Sequence, residues 1–546
     1  MKRLLLPLHD ARYAFGLGAF FVCALLVYLD PAYFFTGDPL NKLIQTRSLL
    51  EFGFTSEELW YPARFIDPDF TFYPHPGVYI IQVGERYLGQ YPLLFSIFCA
   101  PFLYIAGPSS LGVVSALLII GTIYAVWRIF EVRPAVLLLL VFCTPLVARG
   151  IEYAENIHVI LLSFLGFALY LRRPAGGATG RLLLAGVCLG VGVWLRHEVA
   201  LFFAAFAAGL LVVFLLEEGI APGSAAWRER AFAFLFREFF WFGLGFSVLT
   251  LAFFAFNYFD YGHILGPRFI SNVEKFYKPL SARIAQTTTL LFFGPLVQLG
   301  PLWIPGKIGF FAFTPLFLIV FLLAALPRFY QKLGREVQIL CWTLVFFIPL
   351  ICYIAVSDGT VTWGPRYLIL AIIPAILILN RFAEMRAAGE LFPGVGKPLT
   401  VAIWLLAIFS LGVNLVGLRF MRASTRQLEV VSKKFNEVPA DLRLYQNPFL
   451  ASHEGSDYFD NLTLLSKTEA DLPLLFERLR AKVPGKTIVF FETTIPMDRV
   501  FEDVARPPWM LDYDRDRYIR VLDEGLERQS AHDLGVIQAI VYRIPE

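Results

Sequence analysis

The sequence is poor in charge and in cysteine, and it lacks the short motifs of soluble nucleotide and zinc chemistry. Charged residues are 17% of the 546, against 57% hydrophobic. A soluble fold of this length could not hide so much apolar surface, because even large domains leave much of it wet. There is no Walker loop and no GxGxxG on a strand–helix unit, which excludes a nucleotide donor held by a Rossmann domain. There is no HExxH and no Cys/His cluster to suggest zinc. The net charge is only +3 and no basic block stands out, so a nucleic-acid partner is excluded. The cysteines are Cys23, Cys99, Cys143, Cys188, Cys341 and Cys352. All lie in apolar segments without CxxC spacing and read as small buried hydrophobes. No internal repeat of the transporter kind is visible.

Apolar runs fill the chain instead. They recur from Ala14 to Gly417, and 55 Phe and 10 Trp suit lipid-facing and interfacial helices. The expected class is a polytopic α-helical membrane protein. Lys2, Arg3 and Arg12 precede the first run and no small-x-small cleavage site follows it. Ala14–Leu29 is therefore expected as an uncleaved first span with a cytoplasmic N-terminus. A polar loop follows, from Asp30 to about Gln90.

The run Tyr91–Gly107 contains Pro92 and Pro101. If it crossed the membrane, the short loops with Arg172 and Arg173, Arg228 and Arg230, and Arg328 and Arg335 would all face outside, against the positive-inside tendency. It is expected as a juxtamembrane helix, with about eleven spans in all. One span is expected near Phe310–Leu326, and two, Pro134–Ala148 and Leu182–Leu195, are short. From residue 419 the composition turns charged. Residues 1–418 read as a transmembrane module and 419–546 as a small, soluble, extracytoplasmic α+β domain. Its helical patterns are Arg426–Asn436, Glu469–Val483 and Tyr518–Arg528, and its strand-like runs are Thr487–Glu492 and Val536–Ile544. A bacterial inner or plasma membrane is the expected setting.

With that topology, the unusual polar residues gather in external loops. Asp38 follows the first span and precedes Pro39, and Leu40, Leu43, Ile44 and Leu50 make a helical apolar stripe. One reading makes Asp38 an N-cap with Pro39 at the first helical position, on a helix lying flat on the membrane. The other keeps that geometry and uses the ionised carboxylate as a general base. Glu152 and Glu155, three apart, share a helix face near His158. Arg196-His197-Glu198 interrupts an apolar stretch, where charge is expensive and faces a cavity or partner. An arginine there suits a lipid phosphate. Further cations stand beside Gly/Pro turns and aromatic rings. One group runs from Asn257 through His263 to Arg268 and Lys275; another comprises Asp358-Gly359 and Trp363-Gly364-Pro365-Arg366-Tyr367.

Taken in order, these features resemble the GT-C superfamily of integral-membrane glycosyltransferases, which includes protein O-mannosyltransferases and aminoarabinose transferases. The resemblance is carried by Asp38, Tyr91-Pro92-Leu93, Glu152 and Glu155, Arg196, Asn257-Tyr258-Phe259-Asp260-Tyr261-Gly262, Pro305 to Phe311 with Pro315, and Gly364-Pro365-Arg366-Tyr367. It implies sugar transfer from a polyprenyl-phosphate donor to a glycan, lipid or protein acceptor on the outer face, with inversion. It makes Asp38 the base and Glu155, or less well Glu152, the second-loop acid. Arg196 and Arg366, then Arg268 and Lys275, become candidates for the donor phosphate, and His75, His197 and His263 are further candidates. Asp38 stands alone where several family members carry paired acids, which leaves a divalent metal undecided. The competing readings are a transporter or flippase of a lipid-linked glycan, and a glycan polymerase or ligase. External polar loops favour the transferase over a transporter, whose polar residues lie near mid-membrane.

Overall fold

The computed structural model describes residues 10–30, 35, 37–75, 79–173, 179–218, 225–272, 278–299, 302–305, 307–355, 364–390, 396–494 and 514–546. It is mostly helical and packs as two compact units. The first unit holds Met1–Tyr28, Pro92–Phe95 and Gly112–Met421, and the second Leu29–Tyr91, Ser96–Leu111 and Arg422–Glu546.

Six described helices are long and apolar enough to cross a membrane: Ala11–Leu29, Ser109–Phe130, Glu198–Glu217, Trp227–Tyr261, Arg335–Ile354 and Thr400–Asn436. Leu93–Ala106, Asn156–Leu171, Thr179–Leu195 and Pro315–Ala324 are apolar but shorter. Together they make an integral membrane protein. Helix Leu93–Ala106 has 14 residues. At 1.5 Å per residue it is about 21 Å long, short of a bilayer core of about 30 Å.

In the first unit, glycines bring backbones together. A Cβ on Gly186 would fall 2.1 Å from the Phe242 carbonyl oxygen, and one on Gly245 would fall 2.3 Å from that of Leu183. Helices Thr179–Leu195 and Phe240–Tyr261 can approach this closely only because both positions lack a side chain. Dispersion across such contacts replaces the hydrophobic drive that lipid does not supply.

The helix expected near Phe310–Leu326 is two pieces, Phe310–Phe313 and Pro315–Ala324. Pro315 pushes the preceding residue out of helical backbone, and Thr314 has φ −130°. The Thr314 hydroxyl donates to the Cys143 carbonyl at 2.9 Å. Not all cysteines are buried: Cys23 is exposed and Cys188 half-buried. Cys23 lies away from the Ala14, Val22 and Leu25 positions that helix Ala11–Leu29 buries.

In the second unit, strands β1 (Ile80–Val83) and β2 (Arg86–Gly89) form an antiparallel hairpin in the first loop. The tail supplies β3 (Leu442–Tyr445), β4 (Leu462–Leu465), β5 (Thr487–Thr493), β6 (Glu527–Asp533) and β7 (Ile537–Arg543). They form one mixed sheet in the order β4-β3-β5-β7-β6. β3 runs parallel to β4 and β5, and β7 antiparallel to β5 and β6. The continuous run Ile488–Phe491 is buried, as a central strand covered on both faces requires. Phe435, Tyr445, Val489 and Phe491 belong to one core with Val431 of the long helix Gly396–Asn436. The first loop and the tail thus pack in one unit.

The first-loop helix, Asp38–Glu51, departs from expectation twice. Gly37, at φ 53°, holds the cap position, so Asp38 is the first helical residue and not the N-cap. Nor is this a helix lying flat with one face in water. Asn41, Lys42, Gln45, Thr46 and Ser48 are buried along with Leu40, Leu43, Ile44 and Leu49. The polar side chains have partners instead of water. Gln45 donates to the Tyr91 carbonyl at 2.9 Å and accepts from its N–H at 3.3 Å. Ser48 donates to the Ile44 carbonyl at 2.8 Å and accepts from the Trp60 N–H at 2.8 Å.

Candidate active site

In the first unit, helix ends bring together a cluster of arginines and glutamates. Helix Thr179–Leu195 stops and helix Glu198–Glu218 begins across Arg196-His197, so Arg196 sits at a corner. Its side chain is 2% exposed. It pairs with Glu198 through NH2–Oε1 at 2.6 Å and Nε–Oε2 at 3.3 Å. This fork-to-fork geometry fixes direction as well as charge. Arg196 NH1 also donates to Asn156 Oδ1 at 2.9 Å.

Glu155 is fully buried just before helix Asn156–Leu171. Its Oε1 lies 3.5 Å from Arg196 NH1 and 3.5 Å from Arg268 NH1, too long for good hydrogen bonds but close for ion pairs. Arg149 is buried too, on the short helix Leu146–Ile151. Its NH1 is 2.8 Å from Glu152, and among the described residues its Nε has no acceptor. Asn156 Nδ2 donates to the Arg149 carbonyl at 3.1 Å, so one amide ties Arg149 to Arg196. Arg366 acts electrostatically on both Arg149 and Arg268. The Tyr367 ring lies 5.9 Å from the Arg196 guanidinium carbon. The chain reaches this place through Gly364, at φ +87°, where a Cβ would fall 3.2 Å from Pro145.

Among the described residues, Arg149, Arg196, Arg268 and Arg366 thus meet Glu152, Glu155 and Glu198. Buried charge is tolerated only when paired, and the two fully buried arginines, Arg149 and Arg196, each meet a glutamate. The arrangement can take up an anion.

The structure brings the predicted Glu155, Glu152, Arg196, Arg268 and Arg366 into this cluster, and adds Arg149, Glu198, Asn156 and Tyr367. Arg149 carried the same signal as Arg196, a charge inside an apolar stretch. Lys275 and the motif segment 357–363 lie outside the described residues. Of the candidate histidines, His197 lies within electrostatic reach of Arg196 and Arg268. His197 is edge-on to Phe253, with ring centroids 5.4 Å apart. His263 stacks on Phe269 at 4.7 Å while its Nδ1 accepts from the Leu265 N–H at 3.1 Å, which locks a turn.

Asp38 and His75 belong to the second unit. His75 is buried edge-on to Tyr73 and Tyr458, and burial pushes its pKa down to about 3, so it stays neutral. A neutral ring offers no cation to a phosphate. Asp38 opens its helix, where the helix dipole favours the ionised carboxylate. Lys42, four residues on and on the same face, is buried with Nζ 4.9 Å from the Tyr91 ring centroid. Among the described residues no three His, Cys, Asp or Glu side chains group so as to hold a metal ion.

No protein-family model matches the sequence, and no curated protein matches it. Solved structures do. ArnT from Cupriavidus metallidurans, in a crystal structure with undecaprenyl phosphate bound, is 14% identical, with 97% of this chain and 98% of that one covered at a TM-score of 0.49. The apo oligosaccharyltransferase of Archaeoglobus fulgidus is 11% identical, with 89% and 70% covered at a TM-score of 0.48. AglB of Archaeoglobus fulgidus, in complex with an inhibitory peptide and a dolichol-phosphate, is 13% identical, with 88% and 69% covered at a TM-score of 0.45.

Proposed function

We propose that this chain is a membrane glycosyltransferase that moves a sugar from a polyprenyl-phosphate-linked donor to an acceptor hydroxyl, with inversion at the anomeric carbon. The observation that carries this reading is the arginine cluster itself, in which Arg196 and Arg268 converge on Glu155. A polyprenyl phosphosugar is a phosphodiester with one negative charge. When the acceptor oxygen attacks the anomeric carbon, the bond from that carbon to the phosphate oxygen breaks, and the phosphate leaves with a second negative charge. Fixed guanidiniums stabilise charge that develops in this way. Arg196 and Arg268 hold the phosphate, Arg366 and Arg149 add to the field, and Glu155 positions the first two.

Asp38 takes the acceptor's proton as general base. Residues 1–418 are the catalytic module and 419–546 the extracytoplasmic domain, with the N-terminus cytoplasmic. Packing of the first loop and the tail in one unit supports this topology, which puts both outside when ten spans follow the first and Leu93–Ala106 does not cross.

The test uses the purified chain and undecaprenyl phosphate, with glycan labelling in membranes alongside. Arg196→Ala should lose undecaprenyl phosphate binding, and Asp38→Asn should keep binding and lose transfer. Full transfer by both variants would sink the assignment.

A further inference from the structure

The tail takes no part in the reaction proposed above, yet the first loop is built onto it. Arg478, on helix Leu472–Lys482, reaches two first-loop carboxylates. Its NH1 lies 2.6 Å from Asp67 Oδ1 and 2.6 Å from Asp69 Oδ1, and its NH2 2.8 Å from Asp69 Oδ2. Its guanidinium carbon stands 5.4 Å from the Phe72 ring centroid. Beside it, Leu465 of the edge strand β4 donates its N–H to the Phe72 carbonyl at 2.7 Å. The loop therefore continues the edge of the tail sheet.

From this anchor, contacts run to the helix that bears Asp38. Asp67 is fully buried and accepts from the Phe72 N–H at 2.9 Å and the Tyr61 hydroxyl at 3.3 Å. Trp60, the neighbour of Tyr61, donates its N–H to Ser48 Oγ on that helix at 2.8 Å. The Trp60 ring also stacks on Phe459 of the tail, with centroids 6.2 Å apart. The Arg47 guanidinium, again on that helix, lies 6.0 Å from the same Phe459 ring. The tail thus grips the helix directly at Arg47 and indirectly through Arg478, Asp67, Tyr61 and Trp60.

We infer that the tail is a positioning element for Asp38, and that Arg478 is the positioning residue that locks it. The inference rests on the proposed role of Asp38. Arg478 touches no reacting group. Its bond to the half-exposed Asp69 is worth little in energy, but the bond to buried Asp67 is costly to break. A forked guanidinium also sets orientation, which a point charge cannot.

Hydrogen exchange on the full-length protein tests this. Arg478→Glu sets three acids against one another and should speed exchange across residues 40–50 by about tenfold or more. It should cut transfer by about tenfold through kcat, because a base held loosely loses its alignment. Undecaprenyl phosphate binding should not change. Arg478→Lys should restore part of both protection and transfer. Should Arg478→Glu fail to fold, Arg478→Ala reads the same effects. Unchanged exchange at 40–50, with loosening confined to 66–72 and 472–482, would overturn the inference. Full transfer by Asp38→Asn would overturn the role of Asp38 alone, and exchange at 40–50 would still decide whether Arg478 holds the helix.

Discussion

Arg196 and Arg268 close on a single atom, each with a guanidinium nitrogen 3.5 Å from Glu155 Oε1. Arg196 follows the apolar helix Thr179–Leu195, and Arg268 lies in a short turn after Gly266. Arg196 is buried and Arg268 partly exposed, and the shared, buried carboxylate offsets the charge of both.

Removing that carboxylate should therefore be costly. Glu155→Ala leaves two guanidiniums without their common partner and should destabilise the protein by about 3–5 kcal/mol, the range for breaking a buried pair. The midpoint of thermal unfolding in detergent reads this. Undecaprenyl phosphate should recover part of the loss, because it supplies the missing negative charge.

Arginine at position 196 does more than carry charge. It spans Glu198 with two nitrogens and Asn156 with a third contact. Arg196→Lys cannot keep all three, so it should weaken undecaprenyl phosphate binding by about tenfold or more, nearly as much as Arg196→Ala. Titration of both variants with undecaprenyl phosphate measures the difference.

Asp38→Asn removes the base and leaves the arginines intact. Transfer should fall by about 10²–10⁴-fold, the usual weight of general base catalysis, while undecaprenyl phosphate affinity stays unchanged. Parallel loss of both would show that Asp38 binds rather than catalyses.

The turn before Arg268 depends on Gly266. It sits at φ +70°, and a Cβ there would fall 2.6 Å from Asn257 Oδ1. Gly266→Ala should cost about 1–3 kcal/mol in strain and also weaken undecaprenyl phosphate binding, as Arg268 is displaced. Unfolding midpoints and binding on the same preparation separate the two effects.

The tail latch titrates. Burial, more than anything else, pushes the Asp67 carboxyl up to about 7; the Phe72 N–H and Arg478 oppose this and the Asp69 carboxylate adds to it. The protonated form is favoured in the fold. Its contribution to stability is therefore complete below the ordinary carboxylate pKa of about 3.9 and is lost as pH rises to about 7. Asp69 behaves oppositely, held well below the usual range by Arg478, and stays ionised over that window. Asp67→Asn does not titrate, so its unfolding midpoint relative to the parent should improve from about pH 5 to about pH 7.

The membrane class, the apolar segments and most of the arginine cluster were legible in the sequence for one reason. Charge inside an apolar run is expensive, so Arg196-His197-Glu198 announced itself. Arg149 carries the same signal in a shorter run. The tail strands β5 and β7 were legible as apolar runs, whereas β6, wholly exposed, shows no alternation to read. The burial of Lys42 and Gln45 was not legible. It depends on Tyr91, on a hairpin, and on a tail hundreds of residues away, and no local pattern encodes such pairing. The Gly37 cap was hidden because Asp-Pro carries the stronger local start signal.

One feature of the second unit bears on how the protein is made. The first loop finds its partners in residues that the ribosome has not yet added. At about 5–20 residues per second, translation leaves on the order of a minute between the emergence of Asp38 and that of Arg478. Throughout that interval Asp67 has no guanidinium to meet and Trp60 has no Phe459 to stack on. The nascent protein thus inserts its helices first and gains a seated carboxylate only when its tail arrives, so a chain cut short before Arg422 would carry every arginine of the cluster and an unanchored Asp38.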